Sequence, residues 1–243
     1  MSLQFISKLL IGLTTAGLLI MNTASANANS VTVSLEEEEK AAAEQQWTLP
    51  HPVVLIDVGH GGIDGGTSQG DILEKDINLA IARKLYVLLR SEGIPAVMNR
   101  TGDYALSAEN RWHHSRSRHF KDLTQRRQLS EEIDSRLFIS LHVNWGRNRS
   151  ARGPVVLHQP TGESALLAFC LQNALNRQQN SNKLPIMGDA FYLLKKVEQP
   201  AVIVEMGFIS NPVDVNMLTS SAGQLQVAKA IVSGIRQYQW VAQ

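Results

Sequence analysis

The sequence predicts a single α/β domain. Three observations carry that expectation. Short runs of Val, Ile, Leu and Phe recur along the chain, among them Val53–Ile56, Leu137–Leu141 and Ala201–Val204. Runs of this length and β-branched content read as buried strands of an α/β sheet. Amphipathic helical stretches separate them, and alternating strands and helices define that fold class. Finally, each run ends on a polar group able to bind metal: Asp57-Val58-Gly59 leads to His60, Leu141 is followed by His142, and Val204 by Glu205. Ligands of open α/β sheets bind beyond the carboxyl ends of the strands. The three residues therefore point to one site assembled from distant parts of the chain.

Taken in order, a strand is expected at 53–57, followed by a Gly-rich loop at 59–70. A helix at about 75–91 places Ile77, Ile81, Leu85 and Leu88 on one face and stops before Gly93. A strand at 94–99 precedes an irregular polar stretch at 100–121 and a helix at about 122–134. Strands at 137–142 and 154–158, a helix at 163–178, strands at 191–195 and 201–205, and a helix at 222–238 complete the list. No internal repeat, second domain or appended binding module is visible.

Residues 1–26 read as a secretory signal peptide. Lys8 is their only charge, Leu9 to Met21 is apolar, and Ala24-Ser25-Ala26 fits a small-residue cleavage site. The apolar run is short for a membrane span of roughly 20 residues; an uncleaved membrane anchor is the alternative. Residues 27–46, with Glu36 to Glu39 at their centre, read as a solvated acidic and polar linker. The folded domain is expected over 47–243. Export gives the single cysteine meaning, because Cys170 has no partner for an intrachain disulfide. It shares a helical stripe with Leu167, Leu171 and Ala174, which favours a small buried side chain over a reactive thiol. A formal net charge of +1 gives no electrostatic reason to expect nucleic acid as a partner.

His60, Glu74 and His142 are the candidate metal ligands. Two imidazoles and one carboxylate form a known catalytic zinc set that leaves one position open. Glu205 is the candidate general base. Each residue also has a plainer reading. A His at a strand end often serves as a hydrogen-bonded structural group, and Glu74 could simply favour the positive end of the following helix. Glu205 fits such a reading least, since a carboxylate closing an apolar strand is costly without a cationic neighbour. The four positions lie too far apart in sequence for a compact metal motif, so residue pattern alone leaves these readings open.

Four segments carry a resemblance. Asp57-Val58-Gly59-His60-Gly61-Gly62-Ile63-Asp64-Gly65-Gly66, Leu73-Glu74-Lys75-Asp76, Leu137 to Asn144 and Val204-Glu205-Met206-Gly207-Phe208-Ile209-Ser210-Asn211-Pro212 resemble the zinc-dependent N-acetylmuramoyl-L-alanine amidases. The likeness runs in order from about Trp47 to the C-terminus. It implies a twisted, mixed, largely parallel sheet of about six strands flanked by helices, the zinc amidase or phosphorylase-like fold. It implies zinc on His60, Glu74 and His142, and Glu205 as the catalytic acid and base. The implied substrate is peptidoglycan, cut between the lactyl group of N-acetylmuramic acid and the L-alanine of the stem peptide. An export signal agrees with a wall substrate. Family members commonly carry Pro where Val58 stands and Ala-Asp where Ser135-Arg136 stands; neither position is a ligand.

Only 12 residues separate His142 from Val155. Cell-division amidases of the family hold a long autoinhibitory helix there, for which this chain has no room. The Trp47-Thr48-Leu49-Pro50 entry and the basic segment before Asp122 look closest to the spore-cortex, germination-specific amidases, which help form muramic lactam. The alternatives are a general remodelling amidase of vegetative walls, or a non-catalytic peptidoglycan-binding protein on the same fold. An activating protein partner is compatible with each.

Other patterns carry less. Gly66-Thr67-Ser68-Gln69-Gly70 matches a nucleophile elbow, but that elbow needs a strand directly before the Ser and a helix after it. The same glycines lack the Gly-Lys-Ser/Thr of a phosphate loop. The segment Arg111 to Arg127 holds six Arg or Lys and also His113, His114 and His119. It reads as a solvated surface, with a patch for anionic wall material or a partner as the functional rival. His51 and His158 are expected to have no catalytic role.

Overall fold

A computed structural model describes residues 54–108 and 116–242. The signal and linker segments, His51, Arg111, His113 and His114 lie outside the described residues. In chain order the strands are β1 (Val54–Val58), β2 (Ser68–Gln69), β3 (Ile72–Leu73), β4 (Ala96–Met98), β5 (Leu137–Asn144), β6 (Val155–His158), β7 (Ile186–Met187) and β8 (Ala201–Phe208). The helices are α1 (Glu74–Ser91), α2 (Arg118–Glu132), α3 (Gly162–Gln179), α4 (Tyr192–Lys196), α5 (Pro212–Thr219) and α6 (Ser221–Val241).

Six strands form one sheet in the order β4-β1-β5-β8-β6-β7, while β2 and β3 form a separate antiparallel pair. The strands β4, β1, β5 and β8 run parallel. β6 runs antiparallel to β8, and β7 follows β6. The sheet is thus mixed and largely parallel, as expected. Helices cover both faces, which is why β1 is buried at every residue rather than at alternate ones.

Side chains alternate across a strand, and this places the site. Val54, Ile56 and Val58 of β1, with Ile139, Leu141, Val202 and Val204, pack in the larger core together with Leu85, Leu171 and Ile231. Leu55, Phe138, Ala201 and Ile203 point the other way, into a smaller core shared with Leu193, Leu194 and Val197 near α4. By the same alternation Asp57, Ser140, His142 and Glu205 lie on the smaller-core side. Cys170 is buried in the larger core, and burial pushes its thiol pKa up.

Several elements differ from expectation. Residues 191–195 were expected as a strand, but Tyr192–Lys196 is a helical turn that buries Leu193 and Leu194 beneath the sheet. Its aromatic and aliphatic run is compatible with either period, and the edge strand falls earlier, at β7. The last helix is preceded by α5, which starts with Pro212 in its first turn and is capped by Asn211. Ser220 ends α5 and caps α6, accepting from the Gly223 amide at 3.2 Å. The second helix also begins earlier than expected, at Arg118, after the Ser117 cap.

A buried ion pair fixes the exit of β1. The Asp57 carboxylate accepts from Arg126 Nη1 at 2.7 Å, Asn99 Nδ2 at 2.5 Å and Ser140 Oγ at 2.5 Å. Arg126 also donates to the carbonyls of Val58 (2.8 Å) and His60 (3.1 Å). Arg100 donates to the carbonyls of Val58 (3.1 Å) and Gly59 (3.1 Å). Both guanidiniums are buried, so the basic segment is not wholly a solvated surface: Arg126 reaches inward beneath the Gly-rich loop. Removing one member of such a pair strands the other charge in a medium that solvates it poorly. Arg126→Leu is expected to cost about 3–5 kcal/mol of stability in urea denaturation; a loss below about 1 kcal/mol would contradict the role assigned to the pair.

Candidate functional site

Beyond Val58 the chain turns sharply, and His60 adopts a left-handed backbone with φ of 61°. Such a conformation is uncommon outside glycine and is held here by the Arg126 contact to the His60 carbonyl. Asp64 then orients the ring, its Oδ2 lying 2.9 Å from His60 Nδ1. This leaves His60 Nε2 facing Glu74 Oε1 at 3.2 Å. A carboxylate on the far nitrogen is the usual way a metal-binding imidazole is oriented.

Glu74 opens α1, so its carboxylate sits at the positive end of that helix as well as in the cluster. Its Oε2 accepts from the Thr67 amide at 2.8 Å, and its Oε1 from the Val143 amide at 3.0 Å. His142 Nδ1 lies 2.9 Å from the same Oε1. Potential ligand atoms of His60, Glu74 and His142 all fall within 4.8 Å of one another. The three candidates from separate segments are thus brought together.

Glu205 completes the group. It pairs in register with His142 across β5 and β8, which puts both side chains on one face. Its Oε2 is buried without a hydrogen-bond partner. Burial pushes its pKa up, and the cationic character of His142 opposes that rise. Glu74 behaves oppositely. Burial disfavours its charge, but hydrogen bonds from His142 and His60 prevail and hold the carboxyl well below the usual carboxylate range. For His60, burial favours the neutral ring, yet Glu74 and Asp64 outweigh it and raise the pKa to about 9.

The four residues line a cleft of about 560 Å³. Its walls include His119 and Leu123 of α2, Asn144 and Trp145 after β5, and Ala190 to Leu193. Residues 145–154 contain no helix, and of them Trp145 alone lines the cleft. Two close approaches leave no room for a side chain. A Cβ at Gly66 would sit 2.5 Å from Glu74 Oε2, and one at Gly59 would sit 2.5 Å from His142 Cε1. Ser68 lies in β2 of the small hairpin, without the strand-to-helix setting of a nucleophile elbow. His158, on β6, bonds the Gln159 carbonyl at 2.7 Å and is not among the residues lining the cleft.

Asn99, Arg100 and Arg126 carry no local signature: the first two follow β4 as ordinary polar residues, and Arg126 lies within α2 among other basic residues. By sequence His119 belongs with the surface histidines of the basic segment, yet it lines the cleft.

The fold and cluster define a hydrolase class: an α/β domain with two imidazoles and a carboxylate converging beside a second carboxylate, one oxygen of which is buried without a partner. The chain belongs to the N-acetylmuramoyl-L-alanine amidase family, whose profile matches residues 54–237, and is a peptidoglycan amidase. A germination-specific N-acetylmuramoyl-L-alanine amidase of Bacillus subtilis is 32% identical over 196 residues, spanning 79% of this chain and 82% of that protein. The amidase LytC of the same organism is 29% identical over 197 residues, covering 78% of this chain but 37% of its own length. Among solved structures, the CwlD amidase from Clostridioides difficile, in complex with the GerS lipoprotein, matches with a TM-score of 0.72 and 32% identity. That match covers 77% of this chain and 98% of the other.

The raised His60 pKa sets a pH dependence. Its ordinary value is 6.5 and its folded value about 9. The contacts with Glu74 and Asp64 therefore stabilise the metal-free protein fully below pH 6.5, and that contribution is lost as pH rises through about 9. Thermal melts of chelated protein are expected to show falling stability across this window, and His60→Ala to flatten the fall. A slope unchanged by the substitution would contradict the assignment.

Proposed function

We propose that the chain is an exported, zinc-dependent amidase that releases stem peptides from peptidoglycan, with a role in spore-cortex maturation. The observation that carries the reading is the convergence of His60, Glu74 and His142 beside Glu205, whose buried Oε2 has no partner. His60, Glu74 and His142 would hold the zinc. The donor set suits that ion, and the glycines at 59 and 66 keep the space around it open. When bound, zinc supplies Lewis acidity that polarises the scissile carbonyl and makes water easier to deprotonate.

The remaining work falls to the protein. Asp64 holds the His60 ring in one orientation. The Thr67 and Val143 amides hold both oxygens of Glu74. Glu205 takes the proton of the attacking water. Its burial raises its proton affinity, so it can carry that proton to the departing amine of L-alanine. Leu123, Leu193 and Ile203 give the cleft apolar walls beside the reacting groups.

The cortex role is supported by the likeness to the germination-specific enzyme, and the short link after β5 supports an open cleft. The competing reading is a general remodelling amidase of vegetative walls. The CwlD complex with a lipoprotein supports a protein partner for this chain also. Among the described residues no helix is long and apolar enough to cross a membrane. We assign residues 1–26 as the export signal, 27–46 as the linker and 47–243 as the catalytic domain.

Purified residues 27–243 with zinc are expected to release free stem peptides from peptidoglycan, read by mass spectrometry. Glu205→Gln is expected to lower release by at least about a hundredfold, the scale of general-base loss, while zinc content stays at one per chain. His60→Ala and His142→Ala are expected to lose the zinc. Full activity in Glu205→Gln, or full zinc in either histidine variant, would overturn the corresponding role.

A further inference from the structure

The cleft leaves two large aromatic side chains uncovered. Trp145 and Phe191 both line it, and they are 53% and 42% exposed. Tyr192 lines it too, but its ring already meets Phe120 of α2 edge-on, with centroids 5.4 Å apart. Aromatic surface gathered uncovered in one concave site marks a place that a ligand covers.

Both positions are tied to the framework of the site. The Trp145 amide donates to Asn144 Oδ1 at 2.7 Å, and the Ile209 amide donates to the Asn144 carbonyl at 2.8 Å. On the other side, the Gly146 amide donates to Ser210 Oγ at 3.1 Å. Trp145 is thus flanked by bonds to the segment that follows β8, a few residues beyond Glu205. Phe191 caps α4; its amide donates to the Gly188 carbonyl and its carbonyl accepts from the Lys195 amide, each at 3.1 Å. A Cβ at Gly188 would lie 3.4 Å from Phe191 Cδ2, so the ring rests beside that backbone. Little backbone ordering is needed when a ligand arrives.

The charge of the lining distinguishes the two halves of the substrate. Apart from His60, Glu74, His142 and Glu205, the described residues lining the cleft include no Asp, Glu, Lys or Arg. The peptide half carries ionised carboxyl groups, which such walls leave uncompensated. The sugar half is uncharged, because its lactyl carboxyl is consumed in the scissile amide. Three single bonds separate the scissile carbon from the sugar, so ring atoms begin roughly 4 Å from the reacting centre. One face of a pyranose presents chiefly C–H groups, whose positive hydrogens suit the negative face of an aromatic ring. We propose that Trp145 and Phe191 form a glycan subsite, stacking on the muramic acid ring and the sugar next to it. The inference rests on the amidase reading of the adjoining site.

The test compares an N-acetylmuramoyl-peptide with the same peptide acylated by D-lactate alone, which keeps the scissile amide and lacks the sugar. The zinc-loaded enzyme is expected to show a roughly tenfold higher kcat/KM on the muramoyl compound, the scale of one or two aromatic contacts. Trp145→Ala/Phe191→Ala should remove most of that preference by loss on the muramoyl compound. Trp145→Phe/Phe191→Tyr should keep part of it. Equal kcat/KM for the two compounds in the unaltered enzyme would overturn the proposal. So would a preference that survives the double Ala variant, or a double Ala variant that slows both compounds equally. Failure of the amidase reading would look different, as release from neither compound. Tryptophan fluorescence titration of zinc-loaded Glu205→Gln protein then decides the subsite. Tighter binding of the muramoyl compound, with an emission change lost on adding Trp145→Phe, supports it; equal affinities, or an emission change that persists, overturn it.

Discussion

The buried charge of Asp57 is the constraint on which the site depends. A carboxylate inside the sheet must be fully compensated, and Arg126 of α2, Asn99 just after β4 and Ser140 of β5 supply that compensation. In doing so Arg126 reaches the Val58 and His60 carbonyls, and Arg100 reaches Val58 and Gly59 from another side. The end of β1 is thus held by groups from three separate elements. The left-handed conformation of His60 persists because those bonds over-determine it. Everything that His60 then does, toward Asp64 and Glu74, follows from that fixed turn.

Two glutamates lining the same cleft are given opposite characters by their surroundings. Glu74 is saturated with donors and meets a helix N-terminus, so it stays ionised. Glu205 is buried with one oxygen unsatisfied, so its proton affinity rises. Environments that push paired carboxyls apart in this way separate the charge-holding role from the proton-moving role. Strand alternation makes the pairing dependable: a one-residue slip between β5 and β8 would send His142 or Glu205 into the larger core.

Much of this was legible in the sequence because parallel strands buried on both faces leave continuous apolar runs. β1, β5 and β8 were visible for that reason, and α1 by its helical stripe. Glu205 stood out as a carboxylate closing such a run. Other parts lacked a local signature. The two-residue strands β2 and β3 exist through hairpin pairing alone. Tyr192–Lys196 is helical because Leu193 and Leu194 must both reach the smaller core, which no local period reveals. Arg126 resembled its basic neighbours, and its burial depends on Asp57, 69 residues away. Long-range polar pairing of this kind leaves no mark on a single sequence.

The central claim is that three side chains hold the metal while Glu205 stays outside its coordination. X-ray absorption at the zinc edge on the loaded protein tests this directly. A light-atom shell of two imidazoles and carboxylate or water oxygen is expected at about 2.0–2.1 Å, with no sulfur scatterer. The shell should be unchanged in Glu205→Gln. A first shell that loses an oxygen in that variant, or one containing sulfur near about 2.3 Å, would contradict the account.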